Sequence, residues 1–291
     1  MSGNLNIGSV NGHIVGRVLK ETVRRAAVVI RNETMIFDAR TKESYSGTMD
    51  DVFTSADTKA QALYLRTFDE CFPLCGVIGE ENNLTIKPEE GCTAYFTVDP
   101  LDGTKAYVRR QSHGVATMVA LVDKGEVLSA YIGDINTDEV YGFRPGSNKV
   151  FRITRLDSFE ELLPGKTLGS LKEAHCLLRD PVEIYSTSTQ TLVKKFKNYE
   201  VMGSSIGTWM ARLWKQEIPA VLIEAGWETP WDSTPIIGIS QKLGYVFLRP
   251  GGLGLPGERV WKIFQPKLVQ KKERRNHDTL VIHANNLHLL Y

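Results

Sequence analysis

Three short acidic segments carry most of the chemistry this chain can offer: Gly79-Glu80-Glu81, Asp99-Pro100-Leu101-Asp102-Gly103-Thr104 and Trp231-Asp232-Ser233. Each sets carboxylates where a predicted strand ends or a predicted helix begins, so that a rigid element holds a side chain that still reaches solvent. The middle segment says most. Pro100 fixes one backbone torsion and removes an N–H. Leu101 can offer its carbonyl oxygen between two carboxylates. Gly103 lets the backbone approach a ligand closely, and a helical turn starting there would aim free N–H groups at a phosphate. Hard oxygen donors of this kind suit magnesium or manganese rather than zinc. The plainer reading of the same aspartates is turn and helix-cap chemistry.

Two rival loops fail on the letters. A calcium loop starting at Asp99 needs a glutamate at its twelfth position, which is Arg110. Phosphatases with an aspartyl nucleophile carry Asp-x-Asp-Gly-Thr, and the first aspartate of that pattern falls on Pro100. Aspartyl-phosphate chemistry is therefore disfavoured despite the shared Asp-Gly-Thr.

The elements that must position these residues follow from periodicity. Val15, Leu19, Val23, Ala26, Ala27 and Ile30 share one face of a predicted helix over 14–32. A second helix starts at Ser55 and runs to about Phe68. Strands are predicted over 76–79, 94–98, 115–122, 127–132 and 139–143, with Asp123-Lys124-Gly125 as a hairpin signal. The second half alternates. Strands are expected over 174–178, 220–225, 245–248 and 280–283, and helices over 188–198, 206–216 and from about Thr234, with Pro235 in the first turn. The fold class is α/β, with an α+β first half and an α/β second half layered as an αβαβα sandwich. A soft boundary near 154–164 divides residues 1–155, with most acidic ligands, from 156–291, with Asp232; neither half is expected to fold alone.

Composition narrows the classes. The chain is 42% hydrophobic and 24% charged, ordinary for a globular protein. A formal net charge of +1 selects neither nucleic acid nor a membrane surface as partner. Cys71, Cys75, Cys92 and Cys176 form no CxxC pair, so they read as reduced thiols in a cytoplasmic protein rather than a zinc site. The first thirteen residues show no basic patch followed by an apolar run, so no secretory leader is expected. The longest apolar stretch, over 115–122, is a strand and far too short to span a bilayer.

Gly-Glu-Glu, then Asp-Pro-Leu-Asp-Gly-Thr about 20 residues later, then Trp-Asp far downstream, resembles the inositol monophosphatase family of lithium-sensitive, magnesium-dependent phosphatases. Thr54-Ser55-Ala56-Asp57, Met202-Gly203-Ser204-Ser205 and the segment from Val281 to Asn286 match further family segments. The likeness runs over about 14–291. It implies two or three Mg2+ ions, with Mn2+ as a substitute, held by Glu80, Asp99, the Leu101 carbonyl, Asp102 and Asp232. Four carboxylates this close repel without cations, which fits that implication. Glu80, Thr104 and Asp57 would be catalytic: the Thr104 hydroxyl orients a water and Asp57 accepts the threonine proton. Gly103 and Thr104 N–H groups, Gly203, Ser204, Ser205, Glu224 and Asp232 would contact substrate. The likeness also implies a small phosphate monoester as ligand, hydrolysed in the manner of inositol monophosphate or a sugar phosphate, and a homodimer.

The chain departs from the family at its substrate end. The acidic residue often found seven positions before the aspartate of the Trp-Asp pair is Ala225 here, with Glu224 and Glu228 on either side. Trp227 and Trp231 could stack on a base, though packing is the plainer reading. The basic run from Lys267 to Arg275 reads first as a solvated face. Asp57 could be no more than a first-turn charge answering the helix dipole, and Ser204 and Ser205 no more than caps. The final helix of the family looks shortened. Alternatives are a 3'(2'),5'-bisphosphate nucleotidase and a catalytically silent metal- or phosphate-binding regulator, while a DNA-binding role has only the basic run behind it.

Overall fold

The computed structural model describes residues 11–42, 51–251 and 260–290. The ends of the two expected halves, residues 1–10 and 291, lie outside them.

Helix α1 (Gly12–Glu33) starts at Asn11, whose Oδ1 accepts the N–H groups of His13 and Ile14 at 3.0 Å each. Strands β1 (Ala39–Lys42) and β2 (Asp51–Thr54) form an antiparallel ribbon that feeds α2 (Ser55–Cys71). There follow β3 (Gly76–Gly79), β4 (Thr85–Ile86), β5 (Tyr95–Asp102), the short helix α3 (Thr104–Val108), β6 (Ala116–Asp123), β7 (Glu126–Asp134), β8 (Glu139–Phe143), β9 (Phe151–Ile153) and β10 (Phe159–Glu161). The second half gives β11 (His175–Leu178), α4 (Thr187–Val193), β12 (Asn198–Val201), α5 (Ile206–Trp214), β13 (Ala220–Ile223), β14 (Gly226–Glu228), α6 (Pro230–Lys242), β15 (Tyr245–Pro250), β16 (Trp261–Phe264), β17 (Glu273–Arg275) and β18 (Thr279–His283).

Side-chain alternation builds the layers. The first sheet has strand order β10-β9-β8-β7-β6-β5-β3-β4. Val119 and Leu121 of β6 pack with Val15, Leu19, Ala60 and Tyr64 of α1 and α2. Met118 and Ala120 of the same strand face the other way, against Trp209 of α5 and Ile236 and Ile239 of α6. That central core also takes Leu177, Val221, Phe247 and Val281 from the second sheet, of order β12-β11-β13-β18-β15-β16. Cys176, Leu222 and Ile282 point to its far face and meet Leu192 and Val193 of α4. The result is the expected αβαβα sandwich, and its middle layer joins residues from both halves into one core.

Two expectations shift. Helix α6 begins at Pro230 rather than near Thr234, because Thr229 is extended at the cap and Pro230 takes the first helical position. Pro235 therefore sits inside the helix and Asp232 in its first turn. The helix expected over 188–198 ends at Val193, and Asn198–Val201 instead adds a parallel edge strand beside β11.

Candidate active site

Four segments end at one place. Strand β5 runs through both aspartates of the central motif, with an irregular register between Asp99 and Asp102. In a regular strand residues three apart point to opposite faces; the bulge at Pro100 turns both carboxylates to the same side. Asp232, from the first turn of α6, joins them. One carboxylate oxygen of each of Asp99, Asp102 and Asp232 lies within 4.8 Å of the others. Glu80, at the end of β3, lies outside that set, yet its charge reaches Asp99.

The electrostatics are those of a cation site. Asp99 is 2% exposed, and burial followed by the charges of Glu80, Asp232 and Asp102 holds its carboxyl well above the usual range. Burial and then Asp232 push Asp102 up to about 7, although hydrogen bonds from Ser205, Gly207 and Ile206 pull it down. Asp102 Oδ2 accepts the Ser205 hydroxyl at 2.6 Å and the Gly207 N–H at 2.9 Å, which fixes it on the N-terminus of α5. Asp232 is held by the Thr229 hydroxyl at 2.6 Å. This donor set, crowded, oxygen-only and mutually repelling, fits a divalent cation of the magnesium type.

Beside the cluster stands a hydroxyl–carboxylate pair. Asp57 is fully buried in the first turn of α2, where its Oδ2 accepts both the N–H and the hydroxyl of Thr54 at 2.7 Å. Its other oxygen accepts the Thr104 hydroxyl at 3.3 Å, and that hydroxyl also reaches the Leu101 carbonyl at 3.0 Å. One Asp57 oxygen thus serves the helix cap while the other faces Thr104. Gly103 makes the turn from β5 into α3 with φ +90°, and a Cβ there would stand 2.2 Å from the Gly114 carbonyl oxygen. Ser204 occupies the left-handed region at φ 81° with its hydroxyl donated to the Gly203 carbonyl. Ser205 caps α5 and is fully buried.

A cavity of about 320 Å³ opens against Asp102 and Asp232. Glu228 lines it; Glu224 does not, its Oε1 being turned to Arg179 at 3.5 Å. Trp231 is packed away, but Trp227 lines the cavity, 43% exposed, with Lys272 Nζ 4.4 Å over its ring. Glu81, next to Glu80, is 5% exposed, its backbone gripped by Gln61. Arg179, Phe264 and His277 also line the cavity and were missed from the sequence. Thr229 could have been found: Thr229-x-x-Asp232 has the spacing of Thr54-x-x-Asp57.

Residues 14–288 match the inositol monophosphatase family. The chain belongs to that family. Among curated relatives it is 33% identical to the inositol-1-monophosphatase of Rhizobium meliloti strain 1021 over 106 residues, 36% of this chain and 39% of that protein. It is 25% identical to the Nus factor SuhB of Pseudomonas aeruginosa over 171 residues, 58% of each. The matched region therefore spans less than two thirds of these relatives. Solved structures agree over far more of the fold. A suhB protein of Bartonella henselae superposes with TM-score 0.70 at 16% identity, covering 93% of this chain and 94% of that one. An IMPase/NADP phosphatase complexed with Mg2+ and phosphate gives 0.68 at 15%, covering 96% and 94%. Among the described residues, no helix is long and apolar enough to cross a membrane.

Proposed function

We propose that this member of the inositol monophosphatase family is a magnesium-dependent phosphomonoesterase acting on inositol monophosphate or a similar polyol or sugar phosphate. The observation that carries the reading is the convergence of Asp99, Asp102 and Asp232 beside the Asp57–Thr104 pair. Glu80, Asp99, the Leu101 carbonyl, Asp102 and Asp232 would hold two or three cations. When bound, such ions neutralise the carboxylates and polarise the phosphoryl oxygens.

The chain's own residues do the rest. The Thr104 hydroxyl donates to Asp57, which leaves its oxygen lone pair to orient an attacking water, and Asp57 Oδ1 is placed to receive the threonine proton. The Thr54 cap prevents Asp57 from turning away. N–H groups of Gly103 and Thr104 hold phosphate oxygens. Asp232, which lines the cavity, positions the water that protonates the leaving alkoxide. Lithium sensitivity and a homodimer go with the family reading, and the free cysteines fit a reducing cytoplasm.

Phosphate release from a panel of inositol, polyol and sugar monophosphates with Mg2+, run beside Asp99→Asn, tests this. Turnover by the wild type and loss in the variant are expected; no release with either Mg2+ or Mn2+ overturns it.

A further inference from the structure

The cavity beside the cluster joins polar groups, among them Arg179, Thr229 and Gln265, to a wall of apolar and aromatic side chains. Helix α6 forms one continuous wall, presenting Asp232, Ser233, Ile236 and Ile237 in successive turns. The wall starts at the carboxylate cluster and ends on hydrocarbon. Phe247 and Phe264 from the β15–β16 pair and His277 after β17 also line the cavity. Phe247 and Phe264 meet edge to face, with centroids 6.5 Å apart at 72°. Phe264 and His277 do the same, at 4.9 Å and 77°. The β14–β17 ribbon crosses above, pairing Trp227 with Arg274.

Of the three clustered aspartates only Asp102 and Asp232 touch this space, so a phosphate held at the cluster would direct its ester oxygen, and the alcohol behind it, toward the aromatic walls. Free hydroxyls pressed against Phe247, Phe264 and Ile237 would lose water without gaining partners, which is costly. A planar ring would instead bury its faces and edges against aromatic neighbours. The acidic grip on sugar hydroxyls is also weak here. Position 225 is alanine, Glu224 faces Arg179, and Glu228 Oε2 sits 3.4 Å from Arg275 Nη1. At about 320 Å³ the space is in the range of small-ligand pockets and far more than a phosphate requires.

We propose that this cavity receives an aromatic ring borne by the alcohol part of the substrate, so that aryl-substituted polyol or sugar phosphates are preferred over their unsubstituted counterparts. The inference rests on the phosphatase reading above and names the substrate class of the same site.

Glucose 6-phosphate and phenyl β-glucoside 6-phosphate isolate the ring, because the scissile ester and its leaving group are alike in both. With Mg2+ present, the phenyl compound should show kcat/KM higher by about tenfold or more, chiefly through KM. In Phe264→Asn that ratio should fall to about twofold or below. A calorimetric titration of the wild-type protein with unphosphorylated phenyl β-glucoside, against glucose, reads the cavity without turnover. Equal or lower kcat/KM for the phenyl compound overturns the inference while leaving the phosphatase reading intact. If neither ester is hydrolysed, the wider panel above decides the phosphatase reading and the titration decides this one: saturable binding of the phenyl glucoside alone supports an aryl site, and no binding overturns it.

Discussion

Thr104 and Asp57 meet at 3.3 Å, across 47 residues of sequence, through the carboxylate oxygen opposite the one that holds the Thr54 cap. The geometry makes Asp57 an acceptor whose other oxygen is already committed, so its orientation is fixed before any substrate arrives.

Asp57→Asn should expose this. The amide can still accept from Thr54 with its oxygen, but its NH2 then faces Thr104 and cannot take a proton from it. We expect kcat to fall by about 10²- to 10⁴-fold with the melting temperature lowered by only a few degrees. Thr104→Ala should lose activity on the same scale, while Thr104→Ser keeps the hydroxyl and recovers most of it. Steady-state kinetics beside thermal unfolding checks both; a Thr104→Ala enzyme with near-normal kcat would remove the hydroxyl from the mechanism.

Asp99→Asn should lose activity and gain stability in the absence of metal. Asp99 is buried against Glu80, Asp232 and Asp102, and its ionised form is the disfavoured one. An amide there carries no penalty for ionising among those neighbours, so the substitution relieves a cost the metal-free fold otherwise bears. The test is chemical denaturation in chelator. The variant should be the more stable protein there, and added Mg2+ should stabilise it less than it stabilises the wild type.

The same carboxyls give a pH signature. Asp102 titrates at about 7 in the fold against an ordinary value of 3.8. Between those values the folded chain binds more protons than the unfolded one, so metal-free stability falls as pH rises from about 4 toward 7. Cations favour the ionised carboxylates and offset that loss. The increase in melting temperature caused by Mg2+ should therefore be small near pH 5 and largest above pH 7, which differential scanning at a series of pH values measures. An increment independent of pH would disconnect these aspartates from the bound ion.

Much of this site was legible before the fold was known, because its residues sit at the ends of strongly patterned strands. Asp99 and Asp102 sit in the last residues of a fully buried strand, and Asp57 follows its cap by three residues, so local letters place them. The bulge that turns Asp99 and Asp102 to one side was not legible, since Pro100 marks an irregularity without giving its direction. The cavity was less legible still. Its walls come from β16, β17 and the segment after β17, short elements whose place depends on pairing with β15 and β14. The run from Lys267 to Arg275 reads as a basic surface. Yet Arg275 is bound to the Glu224 carbonyl at 2.8 Å and lines the cavity, because β17 pairs across it with β14.

Gly103 tests how tightly the turn from β5 into α3 is built. Alanine there must adopt φ near +90°, unfavourable for any residue with a Cβ, and that atom would lie 2.2 Å from the Gly114 carbonyl oxygen and 3.1 Å from the Ser205 backbone. The close approach cannot be relieved by a side-chain rotation, since backbone stands on the other side. Gly103→Ala should cost at least about 3 kcal/mol, visible as a large drop in melting temperature or in soluble yield. Gly125→Ala is the control: its φ is +79° in the β6–β7 turn, with nothing within 4 Å of an added Cβ, so it should cost only about 1 kcal/mol.

Asp278 should govern the cavity from behind. It is 4% exposed, and its Oδ2 accepts the Ser186 N–H at 2.9 Å and the Ser186 and Thr189 hydroxyls at 2.6 Å each. Its Oδ1 accepts the Ala225 N–H at 3.0 Å. One buried carboxylate thereby ties the start of α4 to the segment that leads into β14, the strand carrying Trp227 and Glu228. These hydrogen bonds outweigh burial and hold its pKa below the ordinary value, so its contribution is present above about pH 4 and lost as pH falls through the lowered value. Asp278→Ala leaves several buried donors unpaired and should cost roughly 3 kcal/mol. Asp278→Asn keeps the shape but turns an NH2 toward one set of these donors and should cost about half as much. Since the ribbon above the cavity would loosen while the carboxylate cluster stays in place, the Asn variant should raise KM several-fold with kcat held within about twofold. A fall in kcat alone, with KM unchanged, would show that Asp278 does not act through that loop.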